Sequence, residues 1–349
     1  MILYFRQAMA VEKSIFLNND DIALFINKRY DIKPICIEAL SGGSANCYKI
    51  LCKNGAFFLK EFQDKFNKNT LENEIFVRQE LVKNGIPTSN FIKSINDDYI
   101  VEKNGRFFHL QGYIDGVTLG RNCFEPPLLF ESAKMLGKIN QCLSNIDALP
   151  DGFPDSWFDE WDKRKSIKKH TDILKNIESS ELRDDLKQKV ISACHKKIDL
   201  LEKYNFDYLV YKQLKKVNSH GDYNNLQIIC EKDLSKIKAV IDFSSTSYIP
   251  AVWEIIRSYT YSAKECVDGN DIDLHSLKAY LDQYLKYYDL PLFDISNMTG
   301  FYYYHLLRSS FGLNSTDEKT IEFALWRTNL CDYLSKTHQE IDEFLIQRA

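Results

Sequence analysis

The sequence predicts an α+β protein with two domains: a small antiparallel β-sheet carrying one helix, then a larger and mainly helical part that contains one β-hairpin. Residues 36–113 hold apolar runs separated by Asn–Gly pairs, a pattern typical of hairpins. From residue 125 onward, apolar residues recur three and four positions apart, which indicates helices. A chain of 349 residues is long enough for two domains, and we expect them at residues 1–112 and 113–349.

Two segments of the N-terminal domain share a strand, Asn–Gly, strand pattern. The first is NCYKILCKNGAFFLKEF, residues 46–62, and the second is YIVEKNGRFFHLQGYI, residues 99–114. Asn54–Gly55 suits a type I′ turn because both central residues of that turn need a positive φ. The two segments therefore predict two antiparallel hairpins.

One helix separates these hairpins. Asn69 can cap its N-terminus, with Glu72 three residues later, and Asn84–Gly85 followed by Pro87 ends it. The helices of the C-terminal domain are predicted over residues 130–143, 180–204, 274–288 and 318–345. The segment at 226–243 interrupts them as a strand, a polar turn and a second strand.

Composition excludes several classes of protein. The formal net charge of −4 gives no reason to expect nucleic acid or an anionic membrane as the main partner. The nine cysteines are scattered singly without a C-x-x-C pair, so neither a disulfide framework nor a zinc site is expected. Arg6 interrupts the first apolar stretch, and no run of 18 apolar residues occurs, so we expect a cytoplasmic protein of undetermined oligomeric state.

Asp222 and Asp242 flank the predicted hairpin at residues 226–243. A hairpin returns the chain to its origin, so the two carboxylates should be near neighbours. Adjacent carboxylates resist ionisation unless a cation accompanies them, and hard oxygen ligands of this kind suit Mg²⁺ together with phosphate. The alternative is that Asp222 is a turn residue and Asp242 ends a strand.

Lys60 lies in an apolar strand, and the helix that follows offers it a partner. At 100° per residue, Glu74 falls on the inward apolar stripe of that helix. A buried acid needs a cation, and Lys60 is a candidate that would then be positioned for phosphate oxygens. The alternative is a local i,i+4 pair between Glu74 and Arg78. One hairpin earlier, Gly42 and Gly43 could approach a ligand closely and hold phosphate through free N–H groups.

The order of these features resembles the protein-kinase-like fold. More closely, it is similar to the aminoglycoside phosphotransferase and choline kinase family, which also holds one type of homoserine kinase. The resemblance covers roughly residues 35–310, and its most specific parts are SHGDYNNLQII and AVIDFSSTSYIPAVWEIIRS. Pro250, Glu254 and Arg257 match a P-x-x-x-E-x-x-R stretch of many relatives.

The resemblance implies a role for each site residue. Asp222 would orient the acceptor hydroxyl and take its proton, His220 would support the catalytic loop, and Asp242 would bind Mg²⁺ at the nucleotide phosphates. The implied ATP-binding residues are Gly42, Gly43, Ser44, Lys60 held by Glu74, and, at the adenine, Gln111 and Tyr113. One position departs from the family pattern, because Gln227 stands where a second metal ligand, asparagine, is expected.

The implied function is ATP- and Mg²⁺-dependent transfer of the γ-phosphoryl group to a hydroxyl of a small molecule. Only seven residues separate Asp242 from Pro250, which leaves no room for the segment with which protein kinases recognise polypeptides. An amino alcohol, a sugar, an amino acid or an antibiotic is open as acceptor. His305 and Arg308 could line its pocket, or could belong to a core helix with a solvated arginine. The alternative function, favoured by Gln227, is a non-catalytic kinase-fold binding or assembly protein.

Overall fold

A computed structural model describes residues 12–40, 45–64 and 66–347. Contacts between Cα atoms divide the chain into two compact units. The sheet unit holds the described residues up to Val117 together with Ile228–Thr246. The helical unit holds Thr118–Gln227 and the described residues from Ser247 onward. The domain boundary expected between residues 112 and 113 stays a prediction.

The predicted helices and hairpins occur in the predicted order, with a helix before them and further short helices and strands between them. The helices are α1 Asn19–Tyr30, α2 Lys68–Lys83, α3 Pro126–Leu143, α4 Asp155–Asp159, α5 Lys163–Ile177, α6 Asp184–Lys203, α7 Ala251–Ser262, α8 Leu274–Leu285, α9 Leu292–Ile295, α10 Met298–Leu307 and α11 Glu318–Ile346. The strands are β1 Pro34–Leu40, β2 Asn46–Cys52, β3 Gly55–Glu61, β4 Phe91–Ile92, β5 Val101–Lys103, β6 Arg106–Gly112, β7 Lys216–Ser219, β8 Ile228–Cys230, β9 Ile237–Val240 and β10 Ser247–Pro250.

The sheet unit is built on an antiparallel sheet in the order β1-β2-β3-β6-β4, with β5 also paired to β6. Its core includes the fully buried Ile50, Leu59 and Phe108 from the central strands. Helix α1, for which we had no prediction, adds Phe25 and Ile26 to the same core. The hairpin of β8 and β9 belongs to this unit and confirms the strand, turn, strand prediction.

The two Asn–Gly pairs of this sheet form different turns. In the second hairpin, Asn104 and Gly105 have φ values of 51° and 76°, as a type I′ turn requires. In the first hairpin, Cys52 pairs with Gly55, so the connecting residues are Lys53 and Asn54. Asn54 does not have a positive φ, whereas Gly55 has φ 139°. The type I′ turn predicted at Asn54–Gly55 is therefore wrong, because the strand pairing places the glycine in β3.

The N-cap of helix α2 lies two residues before the predicted one. The side chain of Asn67 accepts a hydrogen bond from Thr70 N (2.9 Å), so Asn67 and not Asn69 caps the helix. The helix ends at Lys83, and Gly85 has φ 75°, as the prediction for Asn84–Gly85 required. The prediction of Asn69 was wrong because the observed cap is not a capping box: the residue three positions after Asn67 is Thr70, whose hydroxyl also donates to Asn67 Oδ1 (3.0 Å).

The helical unit carries the segment that precedes Asp222. Strand β7 pairs antiparallel with β10, so the ends of these two strands fix both the loop that follows β7 and the helix α7 that follows β10. Every residue of α7 is buried. Among the described residues, no helix has the length and the apolar character needed to cross a membrane.

Candidate active site

Lys60 forms an ion pair with a residue 182 positions further along the chain. Its Nζ lies 2.8 Å from Asp242 Oδ1, and the lysine side chain is 8% exposed. Burial acts to lower the pKa of Lys60, but the carboxylates of Asp242 and Glu74 outweigh it and raise the pKa above its ordinary value. A buried, positively charged lysine therefore sits beside an acid in the sheet unit.

Asp242 follows strand β9 in a left-handed backbone conformation, with φ 58° and ψ 62°. For a residue other than glycine this conformation costs about 1–2 kcal/mol. Ser244 Oγ donates a hydrogen bond to Asp242 Oδ1 (2.8 Å). The side chain is 31% exposed, so part of it is accessible to solvent. Strained backbone of this kind is typical of functional positions.

Glu74 is buried on α2 as the apolar stripe predicted, but its ion-pair partner is not the one expected. Arg78 Nη1 lies 3.5 Å from Glu74 Oε1, and His109 Nε2 lies 3.9 Å from Oε2. Lys60 acts on Glu74 only through its field, which together with Arg78 opposes the rise that burial causes in the pKa of Glu74. The local i,i+4 alternative is thus the pairing observed, because Arg78 is itself buried on the same face of α2.

Gln111 and Tyr113 lie at the end of β6 and just after it. The Gln111 side chain is buried: Ser89 Oγ donates to its Oε1 (2.7 Å), and its Nε2 lies 3.0 Å from His109 Nδ1. The backbone N–H of Tyr113 donates to Ala56 O (3.0 Å). These bonds leave the Gln111 side chain engaged within the sheet unit. Gly42, Gly43 and Ser44 lie outside the described residues.

Asp222 lies in the loop after β7, in the helical unit. Gly221, just before it, has φ 78°, a value that favours glycine. Arg257 Nη2 donates to Asp222 Oδ1 (2.5 Å), and Gln227 Nε2 donates to Oδ2 (3.2 Å). The Asp222 side chain is 36% exposed, and Asp222 raises the pKa of Arg257 against the effect of burial. The predicted proximity of Asp222 to Asp242 stays a prediction.

Two buried side chains brace the Asp222 loop. The backbone N–H of Asp222 donates to His220 Nδ1 (3.3 Å), and His220 is fully buried. Glu254 on α7 accepts hydrogen bonds from Ser219 Oγ and from Tyr223 N, the latter at 2.8 Å. Glu254 thereby ties both sides of the loop to α7, the helix that also carries Arg257. The E-x-x-R spacing therefore places two residues of α7, Glu254 and Arg257, in contact with the same loop.

The asparagines near Gln227 have other partners. Asn225 Nδ2 donates to the carbonyls of Leu119 and Gly120, the former at 3.2 Å. Asn224 Nδ2 donates to Asp222 O (2.7 Å). Gln227 contacts Asp222 Oδ2. It also occupies the position at which the resemblance implies a metal ligand, which neither asparagine does.

The aromatic segment at residues 301–312 contributes mainly to the core. All ten residues of α10 are buried, including His305. Arg308 is partly buried, with its guanidinium 3.5 Å from the ring centre of Trp157 and Nη1 3.1 Å from Tyr304 Oη. His305 therefore belongs to a core helix, and Arg308 is stacked on an aromatic ring and is not a freely solvated side chain.

The protein is related to phosphotransferases. The model of the phosphotransferase enzyme family (APH) matches residues 37–298. The chain is similar to the solved structure of amicoumacin kinase in complex with AMP-PNP, Ca²⁺ and Ami, at 11% identity and a TM-score of 0.59, with 93% of each chain covered. It is also similar to a microcompartment-associated aminopropanol kinase, at 12% identity and a TM-score of 0.59, with 92% of this chain and 98% of that chain covered.

Ethanolamine kinase from Plasmodium vivax is 16% identical, with a TM-score of 0.50 and coverage of 90% of this chain and 83% of that chain. No protein with curated annotation matches the chain. At these identities the solved structures establish the fold, and they confirm the predicted kinase-like α+β class. The family model, which spans more than half of the chain, establishes the family. The chain therefore belongs to the phosphotransferase enzyme family and is an ATP-dependent small-molecule kinase that phosphorylates a hydroxyl group.

Proposed function

We propose that this enzyme transfers the γ-phosphoryl group of ATP, in the presence of Mg²⁺, to a hydroxyl of a small molecule. The observation that carries the proposal is the 2.8 Å ion pair of Lys60 with Asp242. It joins a buried cation and a partly exposed carboxylate that are far apart in sequence. Such a pair suits a triphosphate and its metal ion, since one group neutralises phosphate and the other binds the cation.

In the sheet unit, Lys60 binds the α- and β-phosphates, and Asp242 holds Mg²⁺. The residues present fit the ion, because Asp242 offers hard carboxylate oxygens on an accessible side chain. When bound, Mg²⁺ neutralises the charge of the phosphates. By the family resemblance, Gly42, Gly43 and Ser44 would cover the phosphates. Gln111 and Tyr113, at the end of β6 and just after it, are proposed to lie at the adenine.

In the helical unit, Asp222 orients the acceptor hydroxyl and accepts its proton. The hydroxyl oxygen attacks the γ-phosphorus, the bond from that phosphorus to the bridging oxygen breaks, and ADP leaves with the electron pair. Arg257 and Gln227 each occupy one side of the Asp222 carboxylate, which fixes its orientation and leaves lone pairs for the incoming proton. His220 supports the loop, and the carbonyl oxygen of Gln227 serves as the second metal ligand.

The acceptor is proposed to be an amino alcohol, with sugars, amino acids and antibiotics as the wider set. Three kinases of similar fold are named after amicoumacin, aminopropanol and ethanolamine. Aminopropanol and ethanolamine each combine an amine with a hydroxyl group. Action in the cytoplasm stays a prediction from the sequence. Family membership disfavours the alternative of a non-catalytic binding protein.

The test is ADP release over a panel of hydroxylated metabolites, beginning with amino alcohols and followed by their amine-free and hydroxyl-free analogues. We expect turnover with at least one hydroxylated compound, and none with its hydroxyl-free analogue. The Lys60→Met variant serves as the nucleotide-site control and should lose that turnover. ADP release that does not depend on any acceptor hydroxyl, or that survives Lys60→Met, would contradict the proposal.

A further inference from the structure

Glu74 belongs to a ring of five buried polar side chains in the sheet unit. Going round the ring, its members are Glu74, Arg78, Ser89, Gln111 and His109. All five residues are less than a tenth exposed. The ring joins helix α2 to strand β6, on which Gln111 and His109 lie. Hydrogen bonds link Arg78 to Ser89, Ser89 to Gln111 and Gln111 to His109, whereas Glu74 makes only longer contacts, at 3.5 Å to Arg78 and 3.9 Å to His109.

Two cations and two acids lie in this region. Arg78 is in the ring, Lys60 is next to it, and the acids are Glu74 and Asp242. Burial, with Lys60 and Arg78 adding to it, lowers the pKa of His109 well below its usual value, so the ring histidine is neutral near pH 7. The two cations can therefore pair with the two acids in two different ways.

The structure shows one of the two possible pairings. Lys60 is paired with Asp242 at 2.8 Å, and Arg78 with Glu74 at 3.5 Å. Under the proposed function, Asp242 must hold Mg²⁺ and Lys60 must reach phosphate, so the ion pair between them has to open. The opened Lys60 pairs with phosphate, and Glu74, which already acts on it through its charge, also attracts it.

Arg78 is held firmly in place by other contacts. Its Nη2 donates both to the backbone carbonyl and to the hydroxyl of Ser89, and its guanidinium lies 4.1 Å from the ring centre of Phe91. Arg78 is 1% exposed. It therefore stays beside Glu74 whether or not Lys60 moves, and it competes with Lys60 for that carboxylate.

We propose that Arg78 is a positioning residue of the nucleotide site, which holds Glu74 away from Lys60 and so keeps Lys60 closed on Asp242 until nucleotide and Mg²⁺ bind. This inference rests on the proposed function. Binding of the Mg²⁺–nucleotide complex then includes the cost of opening one buried ion pair. A state that must open before it binds has a reduced apparent affinity.

The test compares dissociation constants for AMP-PNP with Mg²⁺ among variants at position 78. Arg78→Gln removes the competing charge, so Lys60 is drawn toward Glu74, and we expect affinity to increase about threefold to tenfold, within the range of couplings between contacting residues. A purely structural role for Arg78 predicts the opposite sign, because a damaged site binds more weakly. Arg78→Lys keeps the charge and should retain the wild-type affinity. Lys83→Gln, an equal charge change on the exposed face of α2, should also leave it unchanged.

The inference further predicts non-additivity. In a Glu74→Gln background there is no acid to compete for, so adding Arg78→Gln should no longer raise affinity. Unchanged or weaker binding by a folded Arg78→Gln variant overturns the inference, as does an equal gain in the Glu74→Gln background. Should Arg78→Gln not fold, a structure of the wild-type protein with AMP-PNP and Mg²⁺ decides: we expect Lys60 to have left Asp242 for phosphate while Arg78 stays beside Glu74, and Lys60 remaining on Asp242 overturns the inference. Failure of the wild type to bind nucleotide would instead contradict the proposed function.

Discussion

In each of the two units, the aspartate proposed to act in the reaction accepts a charged hydrogen bond, but the two bonds differ in kind. Asp242 is bound by Lys60, which comes from a strand far away in sequence and pairs with it as a single point charge. Asp222 is bound by Arg257 on α7, and α7 also carries Glu254, which ties down the same loop. The first pair can open without disturbing the backbone, whereas the second is part of the scaffold. We infer that Asp242 is built to exchange partners and Asp222 to stay fixed.

The largest effect is expected from removing the fixed aspartate as a base. Asp222→Asn keeps the shape of the side chain but cannot accept a proton, so kcat should fall about 10³-fold, within the range of general-base catalysis. Nucleotide affinity should remain near that of the wild type, since the nucleotide site belongs to the sheet unit. Steady-state kinetics and nucleotide titration check both parts. Unimpaired turnover would rule out the role assigned to Asp222.

The next effect tests whether Arg257 acts by orienting Asp222. Arg257→Ala should lower kcat about 10- to 100-fold, because the carboxylate is no longer fixed against the reacting hydroxyl. Added guanidinium ion at non-denaturing concentration should restore part of the lost activity, and Arg257→Lys should retain more activity than Arg257→Ala. If Arg257 served stability alone, guanidinium would not restore turnover, and the comparison between the two aspartates would lose its basis.

A third effect, on stability and not on turnover, concerns one buried neutral histidine in each unit, His109 and His170. His109 is hydrogen-bonded to Gln111, whereas neither ring nitrogen of His170 has a hydrogen-bond partner among the described residues. Burial, with Lys197 and Lys169 adding to it, lowers the pKa of His170 from 6.5 to about 3. The unfolded chain therefore takes up the proton first, so the free energy of unfolding decreases as pH falls below 6.5, by up to about 1.4 kcal/mol per pH unit.

Urea unfolding between pH 7 and pH 4 measures that effect. The wild type should lose stability more steeply with falling pH than His170→Gln, which has no group to protonate at this position. The slopes are the relevant quantity, because the substitution itself changes the absolute stability. Equal slopes in the two proteins would show that His170 is not the group responsible.

The sequence predicted those parts of the site that depend on local periodicity. The apolar stripe of α2 identified Glu74 as buried, and the alternation around residues 226–243 identified the hairpin that ends at Asp242. Helix α1 was missed although Phe25 and Ile26 have helical spacing with Ile22. That spacing would have been sufficient to predict the helix.

The pairing of charges could not be predicted in the same way. Periodicity places Arg78 on the face of α2 that bears Glu74, yet it does not tell whether a long arginine side chain leaves that face for solvent or enters the core. Ser89 and Phe91 settle the matter by holding the guanidinium inside, and both lie beyond the end of the helix. The contact of Arg257 with Asp222 likewise depends on how α7 packs, which no local pattern encodes.

The central claim is that Lys60 and Asp242 form the site for nucleotide and metal. Thermal unfolding of the wild type and of Asp242→Asn, each with ATP alone and with ATP and Mg²⁺, tests it most directly. We expect the wild type to gain stability from ATP and Mg²⁺ together, by about 2.7 kcal/mol at a ligand concentration 100 times the dissociation constant. Asp242→Asn should lose the part that depends on Mg²⁺. The same Mg²⁺-dependent gain in both proteins, or no gain in the wild type, would contradict the account.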